Sequence, residues 1–299
     1  MRDHLVLALE APALSFGGET IDNLGVVRDF PARSMITGLL ANALGFDRAE
    51  GARLDALQAR IVYASALVRE GARTRDYQTA RLFEKDVGWT TTGAPEGRAP
   101  SPSFTWDDAY ERERGERKKA LTHQRFRDYD ADARVLVALG LANGEGPDLD
   151  AIARAVERPE RPLFVGRKPH LPSRPLLWRD DEGRWPVEAE HPLGALARLL
   201  ACEGARNGYA GPTRVQWSPL AGPDLPEGER AALGPAGASM HVVAKRRHRL
   251  GDERRHVAGV HAGTRLVIEG RIVHATDAVA IARDAGHTLP DPTGAWGAG

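Results

Sequence analysis

The chain has 299 residues, its 41 Lys and Arg are balanced by 41 Asp and Glu, and 42% of its residues are hydrophobic. That length admits one large domain or two modest ones, and the neutral balance excludes a uniformly basic nucleic-acid binder while leaving room for local basic patches. The single cysteine, Cys202, excludes an intramolecular disulfide and a cysteine-based zinc site, which fits a reducing cytoplasm.

Residues 5–9 (LVLAL) read as a buried strand, bounded by Pro12. Asp3, His4 and Glu10 interrupt the first apolar run, which argues against a signal peptide, and no apolar stretch reaches membrane-spanning length. Residues 30–46 (FPARSMITGLLANALGF) read as a turn feeding a helix over 34–44. Ser34 is the expected N-cap and Gly45 the expected stop. Met35, Ile36, Leu39, Leu40, Ala43 and Leu44 form its apolar stripe, and Gly38 predicts a close helix–sheet contact. Its positive N-terminus beside Arg28 and Arg33 suits an anion such as phosphate.

Residues 60–68 (RIVYASALV) and 134–141 (RVLVALGL) are the next strands. Residues 149–156 (LDAIARAV) are helical, with Asp148 as cap and Pro159 as stop, and residues 162–165 (PLFV) lead a short fourth strand. This β-α-β, insertion, β-α-β order predicts an α+β domain of the ferredoxin-like, split βαβ kind over residues 1–178. The insertion spans 78–124, and the interval 111–127, which runs past its end, holds seven Lys or Arg against three Glu. It reads as a solvated loop or as an arm that orders on a polyanion. After Trp178, short apolar alternations predict a second, β-rich unit over 179–299. It contains AKRRHRLGDERRH (244–256) and the strand-like RLVIEGRIV (265–273), and its Pro/Gly-rich tail from Leu289 reads as loose.

Enzyme signatures are mostly missing from the sequence: it has no GxxxxGK[ST], GxGxxG after a strand, HExxH or GxSxG. His123 near Lys118 and Lys119, and His170 near Arg167 and Lys168, read first as phosphate contacts or solvated charges. Asp180 and Asp181 sit in a loop-like run, and no metal or cofactor is expected. What recurs is cations beside aromatics and glycines: Arg75-Asp76-Tyr77-Gln78-Thr79, Arg125-Phe126-Arg127-Asp128-Tyr129 and Phe164-Val165-Gly166-Arg167-Lys168. Arg and Lys neutralise phosphates, ring faces stack bases, and Gly lets a backbone approach. Arg127 and Tyr129 lead into the third strand and Arg167 leaves the fourth, so they are expected to approach one region. The RNP1 pattern of standard RNA-recognition motifs is missing.

Four blocks carry a family resemblance: LVLALEAP with LSFG (5–17), FPARSMITGLLANALGF (30–46), RDYQT (75–79), and RDYDADARVLVAL (127–139) with GRKPHLPSRPL (166–176). Together they resemble the CasD family of subunits in type I-E CRISPR effector complexes (Cascade), within the RAMP superfamily, over about the first 180 residues. The resemblance implies an RRM-like fold and a non-catalytic role holding the 5′ handle of the crRNA. It also implies contacts with a backbone RAMP subunit and the large subunit, target DNA in the assembled complex, and a thumb, here 78–124, gripping the RNA. By motif, Arg33 and Ser34, Arg127 with Tyr129, and Phe164 with Arg167 are implied RNA contacts, joined by Arg28, Tyr77 and Lys168. The chain departs from the family pattern at Phe16 (often Trp), at Pro169-His170 (usually Ser-Cys) and at Arg134-Val135-Leu136. Two alternatives stay open: a metal-independent endoribonuclease processing precursor crRNA with Lys119, His123 and Tyr129, and a domain that binds only protein partners.

Overall fold

Strand β1 (Arg2–Glu10) sets the layering. Leu5, Leu7 and Leu9 join one hydrophobic core, and Val6 and Ala8 join a second. Side chains alternate across a strand, so an unbroken apolar run is what a strand covered on both faces needs. Burying each of these leucines contributes on the order of 2 kcal/mol.

The computed structural model describes residues 1–18, 24–83, 88–89, 95–96, 120–207, 212–233, 240–261 and 263–274. After β1 come the short strands β2 (Ala13–Leu14), β3 (Phe16–Gly17), β4 (Leu24–Gly25) and β5 (Val27–Arg28). Helices α1 (Arg33–Ala43) and α2 (Gly51–Arg60) precede β6 (Ile61–Arg69). Strand β7 (Ala72–Phe83), the pair β8 (Gly88–Trp89) and β9 (Pro95–Glu96), and β10 (Ala120–Ala131) follow. Next are β11 (Arg134–Leu141), α3 (Leu149–Glu157), β12 (Val187–Ala189), α4 (Pro192–Asn207) and β13 (Thr213–Trp217). The last elements are β14 (Arg230–Ala232), β15 (Met240–Leu250), β16 (Arg254–Arg255), β17 (Val260–His261) and β18 (Arg265–His274).

An eight-stranded sheet in the order β12-β1-β11-β6-β13-β18-β15-β14 is the centre of this α+β fold. Each pairing in it is antiparallel. Residues of α1, α2 and α3 pack in the first core, and residues of α4, with fully buried Trp217, pack in the second. Strands β12 and β13 pair with β1 and β6, so β12, β13, β14, β15 and β18 extend the first sheet, while the short pair β16–β17 stands apart from it. The expected β-rich region also contains the 16-residue helix α4.

The expected strand over 162–165 is not formed. Pro162 has no N–H for a ladder, and the Val165 amide donates to the His170 carbonyl at 2.8 Å, closing a loop instead. Residues 173–178 run beside β1 in its place: Ser173 donates to the Glu10 carbonyl and Trp178 to the Val6 carbonyl, at 2.8 and 2.9 Å. Asp148 caps α3 as expected, accepting from the Ala151 amide at 2.7 Å.

Helix α1 buries its expected stripe, with Ile36, Leu39, Leu40 and Ala43 in the first core and Met35 and Leu44 packed against it. It stops at Gly45, whose φ of +76° suits glycine. There Gly45 donates to the Asn42 carbonyl and Phe46 to the Ala41 carbonyl, the paired bonds of a Schellman stop. Two expectations for this helix fail. Gly38 is exposed, and a Cβ there would meet nothing within 4 Å, so it marks no close packing. Ser34 is not the N-cap, because the helix begins one residue earlier, after Ala32, which makes no side-chain cap bond.

Candidate nucleic-acid interface

The start of α1 already holds an anion. The Arg33 amide donates to Asp252 Oδ2 at 3.2 Å and the Ser34 amide to the Asp252 carbonyl at 2.9 Å. Amide donors at a helix start are what a phosphate would use, and Asp252 takes that role from 219 residues away. Asp252 is 2% exposed, and its carboxylate receives Arg265 Nε at 2.9 and 3.1 Å. Arg265 Nη2 donates to the Tyr63 hydroxyl at 2.5 Å, and that hydroxyl donates to the Pro31 carbonyl at 3.0 Å. Burial pushes the Tyr63 phenol well above its ordinary value, so it stays protonated as a donor.

Arg33 is drawn inward as well. Its Nη1 pairs with Glu253 at 2.7 Å, and its Nη2 donates to the Ile61 and Ala59 carbonyls at 2.8 and 3.1 Å. Arg28 Nη2 donates to the Gly251 carbonyl at 3.0 Å. The helix start is therefore a filled cap, which corrects the expectation of an open anion site there. No local reading of residues 30–46 could find its distant partner.

Strands β7 and β10 form a long antiparallel ribbon, in register from Ala72↔Ala131 to Phe83↔Ala120. The ends of the expected insertion thus lie in strands, while residues 97–119, including Lys118 and Lys119, lie outside the described residues, as does the tail from Leu289. One face of the ribbon is a charge ladder: Arg73 meets Asp130 at 2.5 Å and Asp29 at 3.0 Å, and Arg75 meets Asp128 at 2.7 Å. The Arg75 hydrogen bond holds the Asp128 carboxyl below its usual range against a smaller effect of burial. Farther along, Tyr77 and Phe126 pack with their rings tilted at 42° and 5.2 Å between centroids, with Tyr77 51% exposed.

On the other face, Arg127 Nε donates to Gln78 Oε1 at 3.1 Å. Strand β4 lies parallel to β10 and sets Gly25 beside Arg127. From the loop after residue 165, Arg167 Nη2 donates to the Gly25 carbonyl at 3.2 Å. A Cβ on Gly25 would stand 3.4 Å from Arg167 Nη2 and 3.6 Å from Arg127 Nη1, so two guanidinium groups flank one glycine. Burial, then the charge of Arg127, lowers the proton affinity of Arg167. Neither arginine makes an ion pair among the described residues.

Tyr129 turns its ring toward His170, edge-on with centroids 6.2 Å apart. His170 Nδ1 and Ser15 Oγ are 3.0 Å apart. Burial, with Arg167 second, pushes the imidazole below its ordinary value. The loop approaches so closely because Gly166 has φ +100°, where a Cβ would fall 2.1 Å from the Ser15 carbonyl oxygen. Phe164 is half-buried and Lys168 is exposed on the same loop.

Of the residues singled out in the sequence, Arg127, Tyr129 and Arg167 converge here, while Tyr77 shows its ring on the opposite ribbon face. Ser15, Gly25 and His170 complete the cluster. His170, marked in the sequence beside Arg167 and Lys168, also stands where the chain departs from the family pattern. Among the described residues there is no group of three or more His, Cys, Asp or Glu able to hold a metal, and no helix long and apolar enough to cross a membrane.

A family model described as CRISPR-associated protein (Cas_Cas5) matches residues 4–260. The CRISPR system Cascade subunit CasD of Escherichia coli (strain K12) is 27% identical over 185 residues, which is 59% of this chain and 70% of that protein. A chain of a solved structure titled "CRISPR RNA-guided surveillance complex" is similar with 18% identity and a TM-score of 0.48, covering 91% of this chain and 92% of its own. A chain titled "Crystal structure of Cas protein" is similar with 22% identity and a TM-score of 0.49, covering 91% and 95%. The type I-E CasD resemblance carried by the sequence blocks is borne out, and the chain belongs to the Cas5 family of CRISPR-associated proteins.

Proposed function

We propose that this chain is a non-catalytic, cytoplasmic subunit of a CRISPR RNA-guided surveillance complex of the Cascade kind, and that it binds the 5′ handle of the crRNA in antiviral defence. The observation that carries the reading is the Arg127–Arg167 pair around Gly25. Two like charges held together in a half-buried place repel, and a phosphate between them relieves that repulsion. Guanidinium groups keep their protons, so the pair holds a phosphodiester without serving as a base that would cleave it. Tyr129 and the exposed Tyr77 supply ring faces for bases, and Phe164 and Lys168 extend the contact beyond Arg167. Arg28, Arg33 and Ser34 act here as positioning groups that lock α1 to the loop around Gly251.

The β7–β10 ribbon is the base of the thumb that would grip the RNA. The β1-β11-β6 order supports an RRM-like, ferredoxin-like reading of the fold. The proposed partners are a backbone RAMP subunit and the large subunit, with target DNA engaged by the assembled complex; no cofactor is required.

The test is titration of the purified full chain with crRNA carrying its 5′ handle. Arg127→Ala and Arg167→Ala should each weaken binding about tenfold and flatten the salt dependence by about 0.7–1 in log–log slope. Protein that purifies free of RNA and shows no affinity for handle RNA would sink the reading.

A further inference from the structure

The proposed function leaves the basic stretch 244–256 unused. Its first half is the second half of β15, whose burial changes sharply along the strand: Met240, Val242 and Ala244 are buried, whereas Lys245, Arg246, Arg247 and Arg249 are exposed. Strand β14 covers the outer side of β15 at His241, Val242 and Val243, and Ala244 takes the Glu229 carbonyl at 2.9 Å. From Lys245 onward no strand among the described residues pairs with that edge, while β18 continues on the inner side to Leu250↔Arg265.

An open edge invites a protein strand, but this one is poorly built for it. The register shifts between Ala244 and Arg246, leaving Lys245 as a bulge. A bulge twists an edge and breaks its row of backbone donors, and charged side chains repel added strands. What the edge offers is side-chain charge. Arg247 is paired with Asp224 at 2.5 Å and His248 lies 3.8 Å from Glu269. Lys245, Arg246 and Arg249 have no ion-pair partner among the described residues, and Arg249 makes one long bond, 3.5 Å, to Thr264.

The row also starts in a telling place. β15 leads into Gly251, whose carbonyl accepts from Arg28 at 3.0 Å, and Arg28 is three residues from Gly25. Three residues span at most about 11 Å, and the six-residue step from Gly251 back to Lys245 along the strand is about 20 Å. Arg249, Arg246 and Lys245 therefore lie two, five and six residues along β15 from the Gly251 that Arg28 holds, with Arg246 opposite Glu269 on one face of the edge strand and Arg249 on the other. On a chain whose net charge is +0, such a row is complementary to the regular negative charge of a nucleic-acid backbone.

We infer that the outer edge of β15, through Lys245, Arg246 and Arg249, is a second RNA contact that takes the phosphates of single-stranded RNA continuing past Arg28 from the Arg127–Arg167 site. The contact is sequence-independent and adds affinity only for RNA long enough to reach it. It goes beyond the proposed function and rests on it only for where the RNA begins.

Oligouridine of 24 nucleotides, titrated into the full chain at several salt concentrations, is the probe. The triple variant K245E/R246E/R249E should bind it about tenfold more weakly, with a log–log salt slope lower by about 2, the value for three lost single-strand phosphate contacts. The neutral variant K245Q/R246Q/R249Q should fall between it and the parent, and decides the matter if charge reversal disturbs folding. Unchanged affinity and slope in the neutral variant, with its melting temperature intact, would overturn the inference. So would loss of co-purifying complex subunits with RNA binding untouched, which would assign the edge to an acidic protein. The double variant R127A/R167A is run in parallel. If it leaves binding intact while the triple variant loses it, the handle reading fails and the β15 contact stands.

Discussion

Two arginine-bearing regions look alike in the sequence and differ in the structure. Around the start of α1, Arg33 lies beside a helix N-terminus, the usual picture of an anion site. Yet Asp252 fills the amides, Arg265 neutralises Asp252 and is itself held by the Tyr63 hydroxyl, and Glu253 takes Arg33. Around Gly25, Arg127 and Arg167 come from different elements and make no ion pair among the described residues, and burial, then the charge of Arg127, lowers the proton affinity of Arg167 against the weaker opposing pull of Asp128 and Asp76. A cation is available to a ligand only where the fold has not already supplied its anion. The first region therefore carries stability, and the second is the one proposed to carry recognition.

The sharpest way to break this comparison is Asp252→Ala. It leaves Arg265, whose side chain is 10% exposed, as a buried unpaired charge and opens the helix cap. A loss of about 3–5 kcal/mol is expected, read as a lower urea midpoint. A reciprocal pair sharpens it. Arg33→Ala removes two carbonyl contacts and a partly buried ion pair, so it should cost about 1.5–3 kcal/mol of stability. In refolded protein it should change handle affinity less than twofold, whereas Arg127→Ala should do the reverse. Equal effects of the two substitutions on RNA binding would erase the distinction.

The smallest effect is pH dependence. Burial pushes His4, His170, His191 and His256 below the ordinary value of 6.5. The unfolded chain then binds protons more readily than the folded one, so their contribution is present above pH 6.5 and is lost as pH falls through the depressed folded values. Asp128, lowered from 3.8 by Arg75, contributes fully above 3.8 and does not titrate in that window. The melting temperature should drop between pH 7 and pH 5, and His4→Gln should flatten the drop. A profile unaffected by that substitution would remove His4 from the account.

The elements of the first half were legible to within a few residues because their signals are local. The apolar run of β1, the stripe and Gly45 stop of α1, and the Asp148 cap of α3 each need only neighbours in sequence. Helix α4 was not read, although Leu193, Leu196, Ala197 and Leu200 are buried at helical spacing. Flanking Pro192 and the surrounding glycines and prolines hid it. Helix α2 escaped for a related reason: Leu54 and Leu57 are a sparse apolar stripe on a polar helix. The ribbon was hidden because its alternation is one of charge. Arg73 and Arg75 make sense only opposite Asp130 and Asp128, and that register is invisible until both strands are known. The convergence of Arg127 and Arg167 could be read because each abuts a strand or strand-like block. The Asp252 cap could not, since nothing near residue 33 points to residue 252.

That long-distance cap bears on how the chain comes off the ribosome. Arg33 is made 219 residues before Asp252, on the order of ten to forty seconds earlier at usual rates of synthesis. Strand β18 is later still and lies in the sheet interior, between β13 and β15. Until it emerges, the nascent chain holds a helix with bare N-terminal amides and a sheet with an open inner edge. A polypeptide released before residue 252 would lack both the Asp252 cap and the Ile268 and Ile272 that β18 adds to the second core.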